Sequence, residues 1–177
     1  MKTAIVWLLL LPVLSMPALA KPPTAAQGAS QLAAMKKLNF LMGQWKGQGW
    51  AAVSGSKATF TDTELVTSKS NGLELTIQSS GITDAGAPAR QGSVVVSYDA
   101  ATKAYHLHNH QADGTVTDTP AQVTSNSLVW IVRDPHHGPI RFIIQVNAKG
   151  QWVESGELSN DGKTWQKFMS LTLARST

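Results

Sequence analysis

The sequence predicts an all-β fold, a closed antiparallel up-and-down barrel of about ten strands with one short N-terminal helix. From Gly43 onward apolar and polar residues alternate with a period of two, the pattern of strands that have one face on a core. Asn71-Gly72, Asp113-Gly114, Lys149-Gly150 and Asp161-Gly162 each put glycine where a tight hairpin needs positive φ. No stretch between strand candidates has the dozen or so residues that a crossover between parallel strands takes. Consecutive strands therefore pair as a meander, and closing the sheet on itself removes its exposed edges.

Residues 1–20 are a separate object. Lys2 makes a charged n-region, 5–14 an apolar h-region, and Ala18-Leu19-Ala20 a small-x-small cleavage site, so the chain is expected to be exported, to a bacterial periplasm in view of the alanine-rich leader. The apolar run is about ten residues, short of the ~18 to 20 that a membrane span needs, so no anchor is expected in the mature chain. With no cysteine among 177 residues, the mature domain holds together by its core without disulfides. The formal charge of +4 falls by one when Lys2 leaves with the signal peptide. The basic residues are scattered, with only Lys36 and Lys37 adjacent, whereas a nucleic-acid surface would cluster them.

Residues 21–30, rich in proline and small polar residues, read as a flexible tether, and 31–177 as the barrel domain. Ser30 is placed to cap a helix in which Leu32, Met35, Leu38, Leu41 and Met42 form one apolar stripe, the length of a lid or plug. Gly43 ends that helix and Trp45 opens the sheet as its first large side chain. Strands are expected at 43–53, 57–68, 73–80, 92–98, 104–110, 116–124, 127–133, 140–147, 151–158 and 164–175.

Three segments of this pattern resemble a known family. LxFLxGxWxGxG, here Leu38, Phe40, Leu41, Gly43, Trp45, Gly47 and Gly49, the stretch SYDAATKAY at 97–105, and LSNDGKTWQKFMSLTLAR at 158–175 are similar to nitrobindin-like and domain-of-unknown-function 1579 type calycin barrels. The resemblance covers essentially the whole mature chain and implies a closed barrel able to hold a small ligand. It also implies that Gly43, Trp45 and Arg175 close one barrel end, the guanidinium lying over the indole. Nitrobindins proper bind haem through a histidine near the C-terminal end of the barrel. Residues 138–177 contain no histidine, so haem is not expected.

Chemistry-bearing residues are few. His106, His108 and His110 share one strand face, with successive Cα atoms about 6.8 Å apart. An inward face would line a ligand cavity or let His106 and His108 converge on a metal at about 2.1 Å. Alternation equally allows Tyr105 and Leu107 to point inward and the histidines outward. Pairing Tyr98 with Tyr105 would set Ser97 beside His106 and Val95 beside His108. His136 and His137 belong to a proline- and glycine-bounded loop. Asp62 and Glu64 share a strand face without a nucleophile or base to pair with, and Glu154 and Glu157 read as exposed strand carboxylates. Trp50, Trp130, Trp152 and Trp165 read as barrel core or mouth, with Trp130 and Trp152 as candidate ligand contacts. No nucleophile elbow, P-loop, HExxH or EF-hand spacing occurs. The expected function is an exported, non-catalytic barrel that binds a small apolar or amphipathic molecule and has no resident cofactor. The alternatives are an enzyme that uses the three histidines as acid/base groups or metal ligands, and a structural or interaction module.

Overall fold

The computed structural model of the chain describes residues 24–53, 55–135 and 138–176. The expected leader, residues 21–23 of the expected tether, and His136 and His137 lie outside the described residues. One helix, α1 (Ala25–Lys36), is followed by a 3-10 turn at Asn39–Leu41 and ten strands. These are β1 (Gly43–Val53), β2 (Ser56–Lys69), β3 (Glu74–Thr83), β4 (Pro88–Asp99), β5 (Ala104–Gln111), β6 (Val116–Val123), β7 (Ser127–Asp134), β8 (Gly138–Val146), β9 (Trp152–Leu158) and β10 (Gln166–Arg175). Each strand pairs antiparallel with the next, and β10 pairs with β1, closing the barrel.

The helix begins earlier than its apolar stripe suggests, so 25–30 are helix and not tether, and Ser30 is no cap. The reason is a capping box at Thr24. Its hydroxyl accepts from the Gln27 amide at 3.3 Å, and the Gln27 side chain accepts from the Thr24 amide at 2.8 Å. Ala25 and Ala26 then favour the first turn. Strands β3 and β4 also run further than 73–80 and 92–98, past Gly81 and back from Pro88, where a register shift between Gly81 and Ile82 absorbs the irregular pairing.

Burial identifies the inner face of every strand. Trp45, Phe60, Leu75, Ile77, Val96, Leu107, Leu128, Ile144, Trp152, Leu171 and Leu173 all point inward and are buried. One end is plugged. Ala34 and Met35 of α1, then Leu38 and Leu41, close over it, and the Tyr105 hydroxyl donates to the Ala34 carbonyl at 2.9 Å. At the same end the Trp45 indole N–H donates to Leu41 O at 2.8 Å, and its ring lies 5.7 Å from that of Trp152. The Arg175 guanidinium sits 4.2 Å from the Trp45 ring centroid while donating to Phe40 O at 3.0 Å and to Met42 O. Gly43 is needed there twice over. Its φ is +114°, and a Cβ would come within 2.9 Å of Arg175 Nη1.

The opposite end is bounded by the β1–β2, β3–β4, β5–β6, β7–β8 and β9–β10 connections. Inward-facing Val94, Asn109, Thr117, Trp130, Phe142 and Phe168 toward this end are only partly buried, in contrast to the sealed plug. Trp130 stacks on Phe142 at 5.2 Å, and Phe168 meets Phe142 edge-on at 6.1 Å. Toward this end the inner face thus carries partly exposed aromatic side chains.

Candidate functional site

Between the plug and this mouth the inner face carries charge. Asp62 and Glu64 are two residues apart on β2, so alternation turns both inward. Pairing sets Asp62 beside Gly47 on one side and Gly81 on the other, and Gly81 beside Arg90. A side chain at 81 would crowd this arrangement, because a Cβ there would sit 3.2 Å from Arg90 Cβ and 3.3 Å from Asp62 Oδ1. Its absence lets Arg90 fold into the lumen. From the other side of β1, Glu154 on β9 points inward opposite Ile144 and Leu171.

The guanidinium of Arg90 lies among three carboxylates, 3.2 Å from Asp62, 3.4 Å from Glu64 and 3.3 Å from Glu154. The acids are sealed, with side chains 0%, 1% and 3% exposed, whereas Arg90 keeps 25% of its side chain accessible. Glu64 also accepts from the Ser79 hydroxyl at 2.8 Å, Glu154 from the Trp152 indole at 3.3 Å, and Asp62 from the Thr63 amide at 3.0 Å. Asp62 Oδ2, Glu64 Oε1 and Arg90 Nη1 are buried without a hydrogen bond. Their mutual contacts are ionic, off the geometry a hydrogen bond needs.

Burial dominates the electrostatics. It pushes the Glu64 carboxyl up to about 8, reinforced by the charge of Glu154 and opposed by Arg90. Burial likewise raises Asp62 against the pull of Arg90. For Arg90 burial works against the charge, but Glu154, Glu64 and Asp62 outweigh it and hold the guanidinium firmly protonated. Burial therefore favours the protonated form of Glu64.

The histidine strand faces the other way. Tyr105 and Leu107 are buried in the lumen, so His106, His108 and His110 stand on the outer surface. Their partners Ser97, Val95 and Ser93 follow the pairing that the Tyr98–Tyr105 turn predicts. His106 Nδ1 lies 3.2 Å from Asp118 and His108 Nδ1 3.8 Å, outside the barrel. Among the described residues no group of three or more His, Cys, Asp or Glu is placed to hold a metal ion. The inward alternative for these three residues is thereby corrected, and with it their role as lumen lining.

Trp130 is on the lumen wall, and Trp152 is sealed beneath the charged cluster, which it touches through Glu154. Trp50 is on the outer face, with Lys57 3.9 Å from its ring, and Trp165 is in the β9–β10 connection at the mouth end, with Arg141 4.2 Å from its ring. The reading of Glu154 as exposed is also corrected. Only Glu157 of that pair faces outward, where Arg141 Nε donates to it at 3.0 Å. A half-open cavity of about 180 Å³ lies between α1 and the β2–β3 turn, with Leu32, Met35, Met42 and Leu75 on its floor. It sits at the plugged end, away from the charged cluster.

Fold and site together define a closed ten-stranded antiparallel barrel with a buried ionic cluster in its lumen. Comparison with solved structures finds the same architecture in Rv2717c from M. tuberculosis, with a TM-score of 0.60 over 81% of this chain and 98% of that one at 14% identity. At that identity the likeness concerns the fold. No family model matches the sequence, and no curated protein matches it. No helix among the described residues is long and apolar enough to cross a membrane.

Proposed function

We propose that this protein binds a small amphipathic molecule in its lumen, admitted between the mouth loops, with its apolar part on the wall of Val94, Trp130 and Phe142 and its polar head at the Arg90 cluster. The observation that carries this reading is the pairing of partly accessible apolar wall with fully buried, incompletely hydrogen-bonded carboxylates in one closed barrel. Ligand sites are typically concave and mostly apolar with a few convergent polar groups. The resemblance to nitrobindin-like calycin barrels agrees with it. Export to the periplasm, read from residues 1–20, belongs to the same proposal, as does the absence of a resident cofactor.

A neutral fluorescent dye such as Nile red tests it. The dye should brighten on binding the native protein and lose that signal in Val94→Trp, which fills the lumen without touching the plug. A folded Val94→Trp variant that binds dye as the native protein does, or a native protein that binds none, refutes lumen binding.

A further inference from the structure

We infer that the head group recognised at Asp62, Glu64 and Glu154 is an organic cation, a protonated amine, which takes the place that Arg90 now fills as an internal stand-in. This rests on the lumen-binding reading and adds the ligand's chemical class. Three carboxylates face one guanidinium, so the site carries more acid than base whatever the state of any one group. An anionic head would meet those acids with only Arg90 in its favour, and Arg90 is already shared among them. A neutral head would leave the acids as they are.

The second observation is geometric. Asp62 and Glu64 are fully buried, and Asp62 Oδ2 and Glu64 Oε1 meet Arg90 at 3.2 and 3.4 Å as ion pairs that miss hydrogen-bond geometry. One planar guanidinium, its five donors fixed in a fork, is spread over three acceptors and satisfies them incompletely. An ammonium carries three rotatable donors on a compact centre, one for each carboxylate. Arg90, which keeps a quarter of its side chain accessible, would move aside as the amine arrives.

The charged groups that face Glu64 are Asp62 on its own strand, Arg90 from β4 and Glu154 from β9. Ser79 of β3 and Trp45 of β1 are its uncharged neighbours.

Isothermal titration of the mature protein at pH 7 with n-octylamine, 1-octanol and octanoate, in phosphate and in Tris, tests this directly. Octylamine should bind at one site at least tenfold more tightly than the other two. Glu154→Gln should weaken octylamine tenfold or more while leaving octanol unchanged, and Asp62→Asn serves the same purpose if Glu154→Gln does not fold. Octanol or octanoate binding as tightly as octylamine overturns the cation assignment and leaves the lumen reading standing. So does dye binding without affinity for octylamine. Absence of both dye binding and octylamine binding removes both.

Discussion

Glu64→Gln isolates the cost of the buried cluster. Glu64 is an acid whose folded-state value, about 8, lies well above its ordinary 4.5. Between those two values the folded protein keeps a proton that the unfolded chain has released, so stability falls as pH rises through the window and levels off above about 8. A gap of this size, at 1.36 kcal/mol per unit, corresponds to about 3 to 5 kcal/mol, the lower end applying if water reaches the carboxylate through the mouth. Glutamine retains the acceptor for the Ser79 hydroxyl and cannot ionise. The variant should therefore match the native protein at pH 5 and exceed it by several kcal/mol at pH 9. Urea denaturation of both proteins at the two pH values measures this swing. Asp161, held down to about 2 by the Thr164 and Lys163 amides, contributes stability that is present above about 4 and lost as pH falls through 2, outside the window. If the stability difference between native protein and Glu64→Gln is the same at pH 5 and pH 9, the raised carboxyl and the stored proton are both refuted.

Further expectations concern the frame around the site. Trp45→Ala should cost about 3 to 5 kcal/mol in chemical denaturation, because it empties a sealed indole site and takes away the donor to Leu41 O and the ring beneath Arg175. Gly156→Ala should cost ~1 to 3 kcal/mol by the same measurement, since its Cβ would meet Phe168 Cζ at 2.7 Å and disturb the aromatic wall. His108→Ala should shift stability by less than about 0.5 kcal/mol and leave dye binding unchanged, because the imidazole is on the outer face.

The barrel is legible in the sequence because its signals are local. Alternation fixes which residues share a face, and the glycine turns fix which strands are neighbours, so the Tyr98–Tyr105 register follows from the order of residues alone. Alternation does not say which face is inside, and on β5 the polar histidines and the apolar Tyr105 and Leu107 leave that choice open. The charged cluster is harder to find because Arg90 and Glu154 lie 28 and 92 positions beyond Asp62 and meet it only in the folded barrel. Arg90 is hidden by its setting, a run of glycine, alanine and proline that reads as loop and proves to be extended strand. A signal does exist. Acids at alternate positions of β2 among apolar residues of the same face are out of place unless something inside the barrel answers them.

The two ends of the barrel differ in how completely they are packed and paired. At the plug, Trp45, Leu38, Leu41 and Trp152 are wholly buried, and the polar atoms of Trp45 and Arg175 have partners. Midway along the lumen the rule is broken, with acids sealed from water and oxygens that meet Arg90 only as ion pairs, without a hydrogen bond. A chain selected for stability alone would fill positions 62, 64 and 154 with the leucines and valines that surround them, since replacing a buried ionic group by apolar residues of similar volume is often neutral or stabilising. Departures from local consistency of this kind concentrate where function needs them. Gly81 points the same way, because it removes a side chain where Arg90 must approach Asp62. A misplaced acid would need no such accommodation. The coordinated placement of Gly81, Arg90, Asp62, Glu64 and Glu154 on four strands is what the proposed ligand site would require, and the well-packed plug supplies stability that offsets its cost.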